Sequence, residues 1–153
     1  MSNAIENLTF IVTLDLAYNA LEGQLPAGMR NLCNMEQINL AGNKLGGKVS
    51  EAFDNLGQNS YSGQIMDRNL DFKNFISLCL WINEISGPIL VSLGNVSRLK
   101  SLWISRNKLT GSLPDSLGSL SNLEELHIDD NLLEGVVTEV HFANLKNLKR
   151  IFA

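Results

Sequence analysis

Apolar and polar residues alternate along this chain in short bursts, and each burst is followed within a few residues by an asparagine. Leu102-Trp103-Ile104 precedes Asn107, and Leu126-His127-Ile128 precedes Asn131. Apolar pairs stand five and three positions before Asn19 (Leu14, Leu16), Asn43 (Ile38, Leu40) and Asn83 (Leu78, Leu80) as well. Alternation with period two buries one face of a short strand and leaves the other to solvent, so each burst predicts one strand. Farther on the spacing changes. Leu117, Leu120 and Leu123 follow Asn107 by ten, thirteen and sixteen positions, close to one face of a helical turn, and predict a return leg.

With Asn19, Asn43, Asn59, Asn83, Asn107 and Asn131 as anchors, the intervals are 24, 16, 24, 24 and 24. Four residues after each anchor stands a glycine: Gly23, Gly47, Gly63, Gly87, Gly111 and Gly135. Two and six residues after each stand apolar or aromatic residues, as in Leu109 and Leu113. Self-similarity at this period is the mark of a repeat architecture. Stacked repeats place their strands side by side as a parallel sheet along one edge of a solenoid. The asparagine falls where the chain leaves the strand and the backbone loses its ladder partners. A buried amide there donates to and accepts from neighbouring turns. The expected fold is therefore an α/β solenoid of about six turns, with a parallel sheet on the concave face and short 3₁₀ or irregular helical return legs.

The pattern L-x-x-L-x-L-x-x-N-x-L-x-G-x-L-P-x-x-L-x-x-L, followed with minor substitutions from Leu99 to Leu123, resembles the plant-type leucine-rich repeat. LEELHIDDNLLEGVVTEVHFANLKNLKR is similar to the ectodomains of plant leucine-rich-repeat receptor-like proteins of the disease-resistance type. Its Glu-Val-His-Phe-Ala-Asn-Leu run is one residue longer than the standard repeat. The resemblance implies the extracellular part of a plasma-membrane receptor that lacks a kinase, recognises a peptide or protein ligand and relies on a co-receptor. Two other readings stay open: a secreted leucine-rich-repeat inhibitor of a pathogen cell-wall hydrolase, and a truncated fragment without function. The inhibitor is expected to carry a leader and cysteine-bearing caps.

As a domain, residues 1–153 read as one solenoid, with a partial first turn at 1–10, an irregular segment at 51–74, regular turns at 75–147 and a truncated last turn at 148–153. The 16-residue interval motivates the irregular segment. A full strand before Asn59 would place Asp54 where other turns bury Leu or Ile, and an unpaired buried carboxylate is strongly disfavoured. One strand is expected to be missing or bent there. Both ends lack the polar caps that close a solenoid, so the chain reads as a piece of a longer protein.

Composition narrows the partners. The net charge is -4 and charged residues make up 18% of the chain, so nothing draws it to phosphate and nucleic acid is excluded as a partner. No apolar run is long enough to span a membrane. The start, MSNAIENLTFIVTLDL, has no basic region followed by an apolar stretch and a small-residue cleavage site, so no secretory leader is read in it. Cys33 and Cys79 lie on the return leg and the sheet face, too far apart to bridge, and read as two free thiols.

Candidate chemistry sits at one, two and four positions before each anchor, which project from the sheet. The outward sets are Asp15, Ala17 and Tyr18; Asn39, Ala41 and Gly42; Cys79, Trp81 and Ile82; Trp103, Ser105 and Arg106; His127, Asp129 and Asp130. Aromatic and Arg residues at solvent-facing sites are favoured interface anchors. The resemblance carries the ligand-binding role to Trp81, Trp103, Arg106, His127 and Asp129. His127 and Asp129 point the same way, but no third metal ligand and no nucleophile accompany them, so neither a metal nor a cofactor nor catalysis is expected. Asn7-Leu-Thr and Asn95-Val-Ser are glycosylation sequons on the convex return leg. His141, in the one-residue insertion, reads as structural.

Overall fold

The computed structural model of the chain describes residues 5, 7–26, 29, 32, 34–53 and 74–153. Six short strands form one parallel sheet: β1 (Thr13–Asp15), β3 (Gln37–Asn39), β5 (Ser77–Cys79), β7 (Ser101–Trp103), β9 (Glu125–His127) and β11 (Arg150–Phe152), neighbours in that order. Between them the chain makes a second set of strands along the flank. These are β2 (Glu22–Gln24) paired with β4 (Lys44–Gly46), and β6 (Ser86–Pro88), β8 (Lys108–Gly111) and β10 (Leu132–Leu133) in a three-stranded sheet. A single bridge from Lys48 to Ser86 joins the two flank sheets. The return legs are a five-residue helix, α1 (Val49–Phe53), and 3₁₀ turns at Val91–Asn95, Asp115–Ser119 and Glu139–Phe142.

The strands are stacked in register by their central residue. Leu14, Ile38, Leu78, Leu102, Leu126 and Ile151 stand opposite one another across the main sheet. The first five are buried and form one core with Leu109, Leu117, Leu120 and Leu123. Each coil therefore supplies half of the apolar wall that the next coil needs, which is how a three-residue strand becomes stable.

The asparagines close the ladder. Asn107 Nδ2 donates to the carbonyls of Leu80, Ile104 and Ser105 at 2.9, 3.1 and 3.1 Å, while its oxygen accepts the Ile85 N–H at 3.0 Å. Asn131 repeats the arrangement one turn later, accepting from Leu109 at 3.1 Å. The residue just before each of these amides turns left-handed: Tyr18, Gly42, Ile82, Arg106 and Asp130 all have φ between 52 and 63°. That sharp turn carries the chain off the sheet and aims the amide inward.

The ladder takes one step across the 40 residues from Asn43 to Asn83. Asn83 donates to the Leu40 carbonyl at 2.9 Å and accepts from Leu45 at 3.0 Å, so the ladder passes directly from Asn43 to Asn83. In the same way β3 pairs with β5, Ile38 facing Leu78, with no strand between them. The physical reason is the phase: 24 plus 16 residues separate Asn43 from Asn83, and only one stacking step is made. Asn59, Asp54, Gly63 and residues 54–73 of the irregular segment lie outside the described residues. Glu51, Ala52 and Phe53, assigned to that segment from the sequence, instead end α1, with Ala52 and Phe53 buried.

The extra residue in the last return leg is absorbed by His141. The ring is 4% exposed. Its Nδ1 accepts the Thr138 N–H at 3.0 Å, which leaves Nε2–H to donate to the Leu113 carbonyl at 2.9 Å. The imidazole thus caps its own 3₁₀ turn and ties it to the preceding coil.

Candidate functional site: the concave sheet face

The strand side chains that do not enter the core form columns across the main sheet. One column runs Asp15, Asn39, Cys79, Trp103, His127, Phe152. Trp103 and His127 lie with ring centroids 4.8 Å apart, and His127 and Phe152 at 4.5 Å, both tilted by about a third of a right angle (32° and 34°). Three consecutive coils therefore present one aromatic platform, with spacing set by the strand separation itself. His127 Nε2 is buried within this platform and has no hydrogen-bond partner among the described residues. Phe152 remains 51% exposed.

The neighbouring column fixes the platform. Trp103 Nε1 donates to Glu125 Oε2 at 3.1 Å, and the Glu125 carboxylate also pairs with Arg150. Phe152, Glu125 and Arg150 escaped the sequence reading. A burst ending two residues before the chain stops offered no anchor asparagine to set its phase. The i-to-i+24 register that brings Glu125 beside Trp103 becomes visible only once the coils are stacked.

The other predicted residues divide. Trp81 is half-buried, and its position is continued by Ser105 and Asp129 in the next two coils through the bonds from Ile82 N to Ser105 O and from Arg106 N to Asp129 O. Ser105, expected to project, is 4% exposed, because its hydroxyl donates to Asp129 Oδ1 at 2.6 Å and is covered. Arg106 is exposed and pairs with Asp130 at 3.2 Å, at the rim where the strand ends. Asp129 is thus held by Ser105, while Asp130 is turned to Arg106. Among the described residues no cluster of three metal-ligating side chains occurs.

Toward the first coil the face becomes polar. A groove of about 240 Å³ runs from Asp15 past Asn39 and Cys79 to Trp103. The Asp15 carboxylate accepts the Ala17 N–H at 3.0 Å and the Asn39 amide at 3.1 Å, and meets no cation among the described residues. Cys79 is a free thiol, pushed above its ordinary range chiefly by burial and further by the Asp15 charge. Cys33 lies outside the described residues. On the opposite, convex side Asn7 and Asn95 are both exposed, Asn95 in the 3₁₀ turn Val91–Asn95. That face has its own ladder, which the sequence reading overlooked: Asn34, Asn122 and Asn147 donate to the carbonyls of Thr9, Ser97 and Ser121 in the coil before.

A row of short parallel strands with an open, side-chain-lined inner face and asparagine-closed turns is a binding scaffold of the solenoid class. The leucine-rich-repeat family model matches residues 10–32, 34–56 and 98–120. The chain carries leucine-rich repeats over those segments and folds as a leucine-rich-repeat solenoid similar to plant receptor ectodomains. Its fold is similar to the plant peptide hormone receptor RGFR1 in complex with RGF2, with TM-score 0.81 and 26% identity over 97% of this chain and 21% of that one. A TDR receptor structure gives TM-score 0.80 and 32% identity over 97% of this chain and 23% of the other. The ectodomain of the receptor kinase GASSHO1/SCHENGEN3 from Arabidopsis thaliana, in complex with CASPARIAN STRIP INTEGRITY FACTOR 2, gives TM-score 0.80 and 25% identity over 99% and 16%. The chain thus spans between 16% and 23% of the length of these three structures. No curated protein matches the sequence. No described helix is long and apolar enough to cross a membrane.

Proposed function

We propose that this chain is a recognition module that binds a peptide or protein ligand on its concave face, as the extracellular part of a plant receptor-like protein at the plasma membrane, in defence signalling. The observation that carries the proposal is the Trp103–His127–Phe152 platform. Large rings gathered on an open face, rimmed by charged pairs, are what protein interfaces use as anchors. Trp81, Trp103, Arg106, His127 and Asp129 are the contact residues, and Phe152 joins them by register. In this reading the chain does no chemistry. It presents a surface, a co-receptor completes the complex, and glycans at Asn7 and Asn95 on the convex side leave the inner face free. The receptors similar to it that hold RGF2 and CASPARIAN STRIP INTEGRITY FACTOR 2 support a peptide as the ligand class.

The experiment is alanine substitution at Trp81 and Trp103, singly and together, in the full-length receptor expressed in plant cells. Ligand response is expected to fall by about tenfold or more for Trp103→Ala, the typical range for an interface hot spot, while the thermal transition of the purified variant shifts little. An unchanged response in the double variant removes the concave face from the proposal.

A further inference from the structure

We infer that the concave face selects an extended peptide that carries a basic residue about four positions from an aromatic or proline residue. The inference rests on the concave-face reading above and adds the chemistry of the ligand. It comes from how the charges on this face are paired. Among the described residues its two cations are already neutralised, Arg106 by Asp130 and Arg150 by Glu125. Its two remaining carboxylates are not. Asp15 accepts only from Ala17 and Asn39, and Asp129 only from the Ser105 hydroxyl, among the described residues. Among the described residues the inner face therefore carries two uncompensated negative charges and no free positive one, and the complementary ligand is cationic.

Geometry sets the spacing. Asp15 and Trp103 bound one continuous groove. They lie three strand steps apart in the same column, from β1 through β3 and β5 to β7. At ~4.8 Å per step that is about 14 Å, which an extended chain covers in about four residues. A ligand ring or pyrrolidine seated on the Trp103–His127–Phe152 platform thus places a basic side chain four positions away beside Asp15. Asp129, in the coil of His127, faces a second basic residue next to the ring. The indole face of Trp103 itself favours a nearby cation, so both ends of the groove reward the same charge.

The test is selection of a phage-displayed random peptide library on the immobilised full chain, in parallel with Trp103→Ala and with the paired Asp15→Asn, Asp129→Asn variant. Asparagine keeps one acceptor oxygen each for the Ala17 N–H and the Ser105 hydroxyl and removes the charge, giving up only the second Asp15 oxygen, to which the Asn39 amide donates. The expected result on the parent chain is enrichment of Lys or Arg about four positions from an aromatic residue or proline. The Lys/Arg enrichment is expected to disappear on the double-asparagine variant and the ring enrichment on Trp103→Ala. The affinity of the recovered peptides is expected to fall about fivefold or more from low to high salt. Recovery of acidic or uncharged peptides that still require Trp103 would overturn the charge assignment and leave the concave-face reading standing. A pool no different from the unselected library, or peptides indifferent to every variant, would overturn both.

Discussion

At the residue scale, one amide holds two coils. Asn107 bonds three carbonyls and one N–H, two of these four groups on the preceding coil. Replacing it by alanine leaves the Ile85 N–H without its acceptor, while the carbonyls of Leu80, Ile104 and Ser105 each lose one bond and keep those from Asn83, Asn131 and Ile82. Asn107→Ala is expected to destabilise the chain by about 2–4 kcal/mol, since one unmet buried N–H costs ~1–3 kcal/mol and the three lost carbonyl bonds add to it. Urea unfolding of the variant beside the parent measures this, and a loss under about 0.5 kcal/mol would mean that the ladder is decorative. Asn19, in the coil of β1, is exposed and its side-chain amide donates only to Ala17, at 2.9 Å, among the described residues, so Asn19→Ala is expected to cost much less. The interval of 24 between asparagines made this role legible in the sequence. The role of His141 as cap and tie was legible only in part: its place in the insertion marked it as structural, but its acceptor, the Leu113 carbonyl, lies 28 residues back.

At the element scale, close packing of the return legs depends on two glycines that the strand pattern does not explain. Gly94 and Gly118 lie in successive 3₁₀ turns, 24 residues apart. A Cβ on Gly118 would stand 2.2 Å from the Val140 carbonyl oxygen, and one on Gly94 would stand 2.4 Å from that of Ser116. Both obstacles are backbone, so the coils would have to separate. Gly118→Ala is expected to cost about 1–3 kcal/mol, the range of overpacking, and to lower the urea midpoint. Gly42 makes the contrast. Its added Cβ would meet the ring of Tyr18, which is exposed and free to swing, so the cost there is that of a φ of 63°, about 1 kcal/mol.

Ion pairs line the same coils. Glu124 is held below its ordinary pKa of 4.5 by the Lys149 hydrogen bond and charge, then by Lys100; Lys108 does the same for Glu84. A carboxylate whose folded pKa is depressed stabilises fully above the unfolded value and loses that contribution as pH falls through the folded one. The melting temperature is therefore expected to fall as pH drops below about 4.5, with a shallower fall for Glu124→Gln. Identical acid profiles for parent and variant would remove Glu124 from the account. These carboxylates are solvent-facing, so the contribution is small even where it is complete, above about pH 4.5, and fades with salt.

At the scale of the whole molecule, stability runs along one dimension. Each main-sheet strand touches only the strand before and the strand after it, and β1 and β11 have one neighbour each in this chain. Amide hydrogen exchange is expected to be slowest in β5 and β7 and fastest in β1 and β11. Leu102, fully buried at the centre, is the residue whose loss is felt on both sides. Leu102→Ala is expected to cost about 2–5 kcal/mol and to raise exchange in β5 and β9 together. Exchange raised uniformly over all strands would instead indicate one cooperative unit.

The period-two bursts, the asparagine interval and the glycine four residues on determined the parallel solenoid and the residues that face its interior, because a repeat buries its apolar face only against its own copy. They also placed Trp81, Trp103, Arg106, His127 and Asp129 on or beside the inner face. What tertiary structure alone decided is which of those residues meet. Ring contacts from Trp103 to Phe152, the bond from Ser105 that covers its own hydroxyl, and the direct pairing of Ile38 with Leu78 across 40 residues all follow from register. Register is a property of neighbouring coils. The pattern within one coil states what each residue offers, and the stacking of coils states what it is offered to.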